Sequence, residues 1–474
     1  MIHLLLTLFV YFVSFRDKPE KSAPQLSPRA IEQREKWNIP TDEMDYPVST
    51  MYLSALREKG VKIFHISRWF NGATVEMDEE LAAKIEALGF VKSVEMTRDT
   101  SKYDAYQVLK RRSLPCKGNV TDEALQAIAM TTDKQLKLYN LQALHELGYH
   151  GQGILMTICD GGFYKVNELS CFRQEQELGH FDFTDDADDF YGATGGHGLY
   201  CLSSISGKTN EYFSAATKAE YYLMRSEESD PESPKEMDNL VAALEKADSL
   251  GTNVFSVSLG YALFDNEKWD LNWDMLDGKT TRVSRAATIA ARKGMLVCVA
   301  AGNEGNDSWK MISVPADADS ILTVGAVTTD SIIGKFSSYG PSADGRVKPD
   351  VCAVGVQAAL LNSYEQVTYA NGTSFATPLM AGLAATLWSA LPNESAMQIR
   401  ERIIRSADRY NNPDPERYGY GIPDAYAAYL GQTATTIESA VSTRATKYIQ
   451  GNELLIDRNG KTYNVLGGLV TSSR

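Results

Sequence analysis

From about Gln142 onward, short apolar runs alternate with longer helical stretches. The predicted strands are Ile154–Cys159, Ala219–Met224, Asn253–Leu259, Met295–Ala300 and Ile321–Val327, and predicted helices such as Glu236–Ser249 and Val283–Lys293 fall between them. Continuous apolar strands separated by helices are typical of a parallel sheet that is covered on both faces. We therefore predict an α/β domain over residues 136–430, with its functional loops beyond the carboxyl ends of the strands.

The N-terminal part of the chain carries a smaller pattern of short strands and helices. Strand-like runs lie at Val10–Phe15, Val61–Ile66, Ala73–Met77 and Phe90–Met96, and helical stretches lie at Pro28–Trp37, Thr50–Lys59 and Glu79–Leu88. Ser27 and Asp78 stand where N-cap residues are preferred, and Pro28 suits a first helical turn. This order predicts a small ferredoxin-like α+β domain over residues 10–97.

Residues Ile2–Phe15 are almost all apolar, and Arg16 ends the run. The run is too short to cross a bilayer as a helix, but it has the length of the apolar region of an export signal. No Lys or Arg precedes it and no A-x-A cleavage site follows, so a buried first strand at Tyr11–Phe15 is the alternative. We favour export, with residues 1–15 holding a truncated signal that leads into the first strand.

Two polar stretches flank the α/β domain. Residues 98–135 form a predicted linker that contains the basic run Lys110–Arg112, and we expect processing in this region, although an ordinary surface loop would look the same. Residues 431–474 form the second stretch, a Ser/Thr-rich linker followed by a tail. The tail, Lys447–Val470, is predicted as a strand pair with a turn at Asn459-Gly460.

Charge limits the partners that this chain can have. Lys and Arg total 47 and Asp and Glu total 61, which gives a net charge of −14 with neutral histidine. Binding to a phosphate backbone depends on clustered Lys and Arg, so no nucleic-acid partner is expected. No apolar stretch has the length of a membrane-spanning helix, so no transmembrane segment is predicted either.

The six cysteines show no metal-ligand spacing. Cys159, Cys298 and Cys352 lie in or beside apolar runs and are predicted core residues, which leaves Cys116 and Cys171 as the best candidates for a disulfide. A dense acidic patch precedes His197 and could ligate calcium, but a solvated acidic loop is the favoured interpretation. Its members are Asp182, Asp185, Asp186, Asp188 and Asp189.

Two residues capable of acid–base chemistry stand at the ends of predicted elements. Asp160 directly follows a buried strand, and two glycines then turn the chain away. His197 lies among glycines at the start of an apolar helical run. Either residue alone has an ordinary structural explanation, because Asp often caps turns and a lone His is usually structural.

Ser374 and Asn303 complete the set. Ser374 begins a buried helix behind Gly372, where free N–H groups and the positive end of the helix dipole suit a nucleophile whose attack creates an oxyanion. Asn303 lies just past the strand Met295–Ala300, where a short amide can donate to that oxyanion. The simpler alternatives are a serine N-cap and a turn asparagine.

The order Asp, His, Ser at these positions resembles that of the subtilisin-like (S8) serine peptidases. The resemblance covers about Asn140 to Leu430, and it extends to Leu144–Gly151, Ser258-Leu259-Gly260, Phe336–Gly340 and Lys348–Val351. The Asp-Gly-Gly-Phe form of the Asp motif is similar to that of exported bacterial members. One departure is Leu199, which stands where the family commonly has Thr after His-Gly.

The resemblance implies a subtilisin-like α/β fold with a mostly parallel sheet and helices on both faces, preceded by an inhibitory propeptide. It implies a serine endopeptidase with Asp160, His197 and Ser374 as the catalytic triad and Asn303 in the oxyanion hole. Ser258, Leu259 and Gly260 would line the bound substrate. The implied partners are protein or peptide substrates and the intramolecular propeptide. No cofactor is implied for the chemistry, a structural calcium ion is allowed, and the protein would be secreted, periplasmic or cell-surface.

Three other functions fit the sequence less well. A pseudoprotease that binds peptides without cleaving them would not need all four active-site residue types. An adhesive or structural surface protein would be expected to carry repeats or a large accessory domain, and the sequence shows neither. An esterase could use the same chemistry, but the Gly-x-Ser-x-Gly elbow is missing around Ser374.

Overall fold

The computed structural model describes residues 8–20, 22–99, 133–184, 190–192, 196–228, 232–433, 446–450, 453–458, 461–464 and 469–472. The N-terminal elements are β1 (Phe9–Phe15), α1 (Pro28–Trp37), α2 (Thr50–Glu58), β2 (Lys62–Ser67), β3 (Gly72–Met77), α3 (Glu79–Glu86) and β4 (Val91–Asp99). The elements that follow, as far as Asn303, are α4 (Leu141–Glu146), β5 (Leu155–Asp160), β6 (Glu177–Asp182), α5 (His197–Ser206), β7 (Glu220–Arg225), α6 (Pro234–Leu250), β8 (Val254–Val257), α7 (Arg282–Arg292) and β9 (Leu296–Ala300).

The remaining elements are β10 (Leu322–Val327), β11 (Val351–Val354), β12 (Ala358–Leu361), β13 (Val367–Ala370), α8 (Thr373–Ala390), α9 (Ala396–Ser406), α10 (Ala425–Leu430), β14 (Thr446–Gln450), β15 (Glu453–Arg458), β16 (Lys461–Asn464) and β17 (Leu469–Ser472). Short 3₁₀ turns lie at Gln174–Gln176, Glu267–Trp269 and Trp273–Met275.

The N-terminal strands form an antiparallel sheet in the order β2-β3-β1-β4, as expected for a ferredoxin-like domain. Strand β1 pairs with both β3 and β4, so the apolar segment at 9–15 is the central strand of this sheet. Its side chains pack with α2 and α3 around Val13, Leu56, Val75 and Ile85, which are fully buried. Residues 1–7, where the rest of the predicted signal falls, lie outside the described residues.

A seven-stranded sheet organises the second domain, in the order β11-β10-β9-β8-β5-β7-β6. Every pairing in it is parallel. Helices α5 and α8 pack on one face within one apolar core, and α6 and α7 pack on the other face within a second. The predicted parallel sheet with helices on both faces is thus confirmed.

The strands of the peptidase domain that the sequence pattern missed are the two edge strands of this sheet and the separate hairpin of β12 and β13. Strand β6 is an edge strand whose residues alternate between partly buried and exposed, so it has no continuous apolar run. Strand β11, at the other edge, has four residues. The tail also differs from the predicted strand pair, because β14–β17 form a four-stranded antiparallel sheet. The predicted turn at Asn459-Gly460 lies outside the described residues.

Two further predictions concern a disulfide and membrane-spanning segments. The five cysteines of the described region are free and buried, Cys171 among them, which does not support a disulfide at that position. Cys116 falls outside this region. None of the helices in the described ranges has the length and apolar character needed to cross a membrane.

Gly198 sets how closely helix α5 approaches the turn that follows β5. A Cβ atom at this position would overlap the carbonyl oxygen of Gly162 and would lie 3.1 Å from the ring of Phe163. Because the Gly162 oxygen belongs to the backbone, it cannot move away as a flexible side chain could. The absence of a side chain at Gly198 therefore lets His197 reach the end of β5.

We expect Gly198→Ala to destabilise the chain even though alanine favours a helix over glycine by about 1 kcal/mol. The overlap with the Gly162 backbone should cost about 1–3 kcal/mol and outweigh that gain. Thermal unfolding would be followed in a Ser374→Ala background, with Gly89→Ala as the control, since nothing lies within 4 Å of a Cβ there. An unchanged or higher unfolding temperature for Gly198→Ala would contradict this packing.

Candidate active site

The predicted site residues gather at the carboxyl edge of the parallel sheet. Asp160 is the last residue of β5, Ser258 directly follows β8, and Asn303 lies shortly after β9. These three strands are neighbours in the order β9-β8-β5. Parallel neighbours end at the same edge of a sheet, so the topology itself brings these positions together.

Asp160 and His197 are in direct contact. Oδ1 of Asp160 lies 2.8 Å from Nδ1 of His197 and also accepts a hydrogen bond from the Gly161 N–H at 2.8 Å. Asp160 is buried, with 1% of its surface exposed, whereas His197 is partly exposed. Because Nδ1 faces a carboxylate, it carries the proton, and Nε2 is left to accept one.

The charge of Asp160 governs the titration of His197. Burial opposes a positive charge on the imidazole, but the nearby Asp160 carboxylate and its hydrogen bond raise the pKa of His197 well above 6.5. The carboxylate is thus the main group that favours the protonated imidazole.

Ser374 is the second residue of helix α8, which Gly372 leads into. The N–H groups of a first helical turn lack the usual partner four residues earlier in the helix. Here the Thr373 N–H donates to Asn303 Oδ1 at 2.9 Å, and the Phe375 N–H donates to the Gly372 oxygen at 3.1 Å. Pro378 lies four residues further on and has no N–H to donate to the Ser374 carbonyl oxygen. That oxygen instead accepts hydrogen bonds from Ser258 Oγ at 2.7 Å and from Cys201 Sγ at 3.3 Å.

The hydroxyl of Ser374 donates to the carbonyl oxygen of Ser258 at 3.3 Å in this structure. Cys201 connects the serine to the histidine, because its Sγ lies 3.9 Å from His197 Nδ1 as well as 3.3 Å from the Ser374 oxygen. Burial raises the pKa of Cys201 to about 11, so it is a neutral thiol. Sequence reasoning missed Cys201, although its position four residues after His197 on one helix face is a readable signal.

The orientation of the Asn303 side chain is fixed by Thr373. Asn303 Oδ1 accepts from the Thr373 N–H at 2.9 Å and from Thr373 Oγ1 at 3.0 Å. A backbone N–H can only donate, so the oxygen of the amide must face it, and the Nδ2 group points the other way. The sequence prediction singled out Asn303 but not Thr373, which anchors it.

The Ser258–Gly260 segment has no strand geometry of its own, and its exposure increases from buried Ser258 to exposed Gly260. A Cβ at Gly260 would overlap Ser313 Oγ, so the Gly260 backbone lies directly against this hydroxyl. Glu304 belongs to the same region, where its Oε2 accepts from Ser338 Oγ at 2.7 Å. Burial raises the pKa of the Glu304 carboxyl.

Three carboxylates converge close to the end of β7. The side chains of Glu227, Glu232 and Glu236 each place an oxygen within 4.8 Å of the other two. Burial, followed by repulsion from the two neighbours, raises the pKa of Glu236 well above its ordinary value. The carboxylate of Glu236 is already used in capping helix α6, where the Glu228 and Ser233 N–H groups donate to it.

Calcium binding by the acidic patch before His197 stays a prediction. Asp182 is the one member of the patch within the described residues, and its carboxylate accepts from the N–H and hydroxyl of Thr184. It also lies 3.5 Å from Arg225. The other four members, Asp185, Asp186, Asp188 and Asp189, lie outside the described ranges.

Replacement of the Asp160 charge should lower the pKa of His197. A folded-state pKa above 6.5 means that protonated His197 stabilises the fold fully below about pH 6.5, and that this contribution is lost as the pH rises through the raised pKa. An NMR titration of the histidine-labelled Ser374→Ala chain would measure the pKa of His197, and the spectrum of His197→Gln would assign its resonance.

Asp160→Asn should move this titration to lower pH, and Asp182→Asn is the control that should leave it in place. A His197 resonance that titrates at the same pH with and without the Asp160 charge would remove the carboxylate as the cause.

The chain matches known families along most of its length. The Subtilase family profile (Peptidase S8) matches residues 120–421, and the profile of the Peptidase S8 propeptide domain, Bacteroidota, matches residues 10–112. Among curated relatives, serine protease AprX of Bacillus subtilis (strain 168) is 27% identical over 316 residues, which is 60% of this chain and 67% of that protein. Subtilisin DY of Bacillus licheniformis is 28% identical over 306 residues, covering 63% and 99% respectively.

A solved structure shares the fold. The 2.05 Å crystal structure of the epidermin leader peptide processing serine protease (EpiP) from Staphylococcus aureus aligns with a TM-score of 0.60 and 18% identity, over 89% of this chain and 98% of that one. The profile matches cover the propeptide sheet and more than half of the chain in the peptidase domain. The chain therefore belongs to the subtilase family, as a serine endopeptidase that is made with an N-terminal propeptide.

Proposed function

We propose that the protein hydrolyses peptide bonds through the triad Asp160, His197 and Ser374 and an acyl-enzyme intermediate, and that it is made as an autoinhibited precursor. The observation that carries this proposal is the 2.8 Å contact between buried Asp160 and His197 Nδ1, which leaves Nε2 as a base beside the start of helix α8. A serine hydroxyl needs such a neighbouring base to become a nucleophile.

In this mechanism Ser374 Oγ attacks the carbonyl carbon of the scissile bond while its proton passes to His197 Nε2. The hydroxyl must first turn from its hydrogen bond to the Ser258 oxygen toward the imidazole, and such tightening on substrate binding is common in hydrolases. The imidazolium then gives the proton to the leaving amine, whose departure forms the ester. Water then attacks the ester in the same way, with His197 again as the base, which releases the acid and restores the serine hydroxyl. Asp160 holds the tautomer of His197 throughout.

The oxyanion of the tetrahedral intermediate would be held by two donors. Asn303 Nδ2 is turned away from Thr373 and is available to donate, and the Ser374 N–H belongs to the first turn of α8. The anchoring of Asn303 by Thr373 means that this donor is positioned before the substrate arrives, which is the condition for effective electrostatic stabilisation. All the groups in this chemistry come from the chain itself.

The substrates are proteins or peptides bound as an added strand beside Ser258–Gly260. An extended peptide can pair with the free backbone of that segment, which gives recognition without strict sequence choice. Leu259 and Gly260 are accessible for this pairing. The departure from the family at Leu199 does not alter the cleft, because Leu199 is 1% exposed and packs in the core.

In this proposal the propeptide inhibits the peptidase domain until it is cleaved. Strand β4 leads toward the carboxyl edge of the sheet, where Arg98 donates to Glu228 Oε2 at 2.7 Å, three residues after β7 ends. Residues 98–135 then connect the propeptide to the peptidase domain and are the proposed processing region. Export to a secreted, periplasmic or cell-surface location fits a precursor of this kind.

We expect a fluorophosphonate probe to label the wild-type chain and not Ser374→Ala. Labelling should appear only once the region between Met96 and Lys134 has been cleaved, because the propeptide of an autoinhibited precursor would block the cleft until then. Ser389→Ala, near the other end of the same helix, is the matched control and should label normally. No labelling of the folded and cleaved wild type would favour a peptide-binding pseudoprotease.

Asn303→Ala should lower turnover by a factor on the order of 10²–10³ with little change in the Michaelis constant. The reason is that the Asn303 amide would act on the oxyanion, which exists only near the transition state. Steady-state hydrolysis of a chromogenic peptide measures both constants, with the exposed Asn306→Ala as control. Unchanged turnover in folded Asn303→Ala would take this amide out of the mechanism.

A further inference from the structure

The segment between β1 and α2 lies outside the propeptide core. We call residues 22–46, which include helix α1, the strap. No residue of the strap belongs to the apolar core that β1, β3, α2 and α3 share. Its one fully buried apolar side chain, Ala30, faces Gly251 at the end of helix α6 instead, where a Cβ would lie 2.7 Å from the Ala30 nitrogen. The packing of α1 is therefore against the peptidase domain.

The strap crosses the amino-terminal edge of the parallel sheet. Arg29 Nη2 donates to the Gly153 oxygen just before β5 and to Asn253 Oδ1 just before β8, both at 2.9 Å. Arg29 also pairs with Glu220 at the start of β7. Gln33 Nε2 donates to the Gly294 oxygen just before β9 at 3.1 Å. One helix thus contacts the starts of four adjacent strands, at the edge opposite the candidate active site.

Four buried charges join the strap to the peptidase domain. Arg34 of the strap donates to Asp248 of α6 through bonds of 2.8 Å and to Asp45 at 2.7 Å. Lys293, which follows α7, donates to Asp45 at 2.8 Å. All four side chains are at most 5% exposed, and each is matched by an opposite charge. Buried charges are tolerated only when they are paired, so this arrangement selects one partner surface.

This contact is remote from the inhibitory end of the propeptide. Arg98 pairs with Glu228, which also pairs with Lys235 near the start of α6, whereas Arg34 pairs with Asp248 near the end of that helix. Lys235 and Asp248 are thirteen positions apart, which corresponds to about 20 Å along the helix.

Between these two places, the end of β2 and the turn after it also contact α6, because Ser67 Oγ and the Arg68 N–H donate to Glu245 and Arg68 Nη2 donates to Asp248. Trp69 of this turn is buried in the apolar core that α6 and α7 share. The strap therefore extends a continuous contact of the propeptide to the amino edge of the sheet.

We propose that the strap is an additional docking element, remote from the active site, which helps to keep the propeptide on the peptidase domain after the linker has been cut. Linked contacts reinforce each other, because release of one leaves the others in place and re-binding is then intramolecular. Release of the inhibitory end from the active site would thus leave the strap and the contacts of the propeptide sheet in place. The inference rests on the proposed function only in taking residues 98–135 as the region that is cut.

The test uses the full chain with Ser374→Ala, so that no self-cleavage occurs, and with a site-specific protease sequence inserted after Arg112. After complete cutting, the dissociation rate of the propeptide is measured by size-exclusion chromatography over time. We expect the wild-type propeptide to stay bound. Ala30→Arg, which forces α1 away from Gly251, should accelerate dissociation by at least about tenfold, equivalent to the loss of one hydrogen bond with a charged partner.

Ile31→Arg is the matched control, since Ile31 is the neighbouring residue on the exposed side of α1 at 46% exposure. The propeptide of the Ile31→Arg chain should dissociate at the same rate as that of the wild type. Arg29→Ala combined with Gln33→Ala removes only contacts to the peptidase domain, and it serves as a second test if Ala30→Arg perturbs folding. Wild-type dissociation rates in both strap variants would overturn the proposal. Because the readout is binding in a Ser374→Ala chain, failure of the proposed catalytic function would not change it.

Discussion

The strands of the central sheet are apolar on both sides, so both faces of the sheet must be covered. The carboxyl and amino ends of the strands, its two edges, are then the parts of the sheet that remain accessible to other groups. At the carboxyl edge, the ends of β5, β8 and β9 bring Asp160, Ser258 and Asn303 together. At the amino edge, the starts of four strands present the backbone groups and the Asn253 side chain that the strap contacts. The same topology thus places the proposed catalytic residues at one edge and the contacts of the strap at the other.

The absence of an N–H at Pro378 determines which groups contact the proposed nucleophile, Ser374. Because Pro378 cannot donate to the Ser374 carbonyl, that oxygen is available to Ser258 of the proposed substrate-lining segment and to Cys201 of the helix that carries His197. The start of helix α8 is in this way fixed to two other elements at once. Thr373 adds a third connection by orienting Asn303. These contacts give the proposed nucleophile and oxyanion donor fixed positions before any substrate is bound.

The sequence predicted the central strands well, since each is a continuous apolar run; the predicted Ile154–Cys159, for example, is β5 at Leu155–Asp160. The edge strands β6 and β11 gave too little apolar signal. The four residue types of the proposed site were also readable, because each stands where an element ends or begins. The strap interface was not readable. Its ion pairs join residues far apart in the chain, as Arg34 and Asp248 are by 214 positions, and isolated charges in a sequence look like surface residues.

A crystal structure of the processed chain with a peptide aldehyde would show whether Ser374, His197 and Asn303 converge on one reacting carbonyl. We expect a covalent bond from Ser374 Oγ to the aldehyde carbon. We also expect the resulting oxygen to lie about 2.7–3.1 Å from both Asn303 Nδ2 and the Ser374 N–H. The peptide should lie as a strand beside Ser258–Gly260. An adduct on another residue, or an oxygen that faces away from Asn303, would contradict the proposed mechanism.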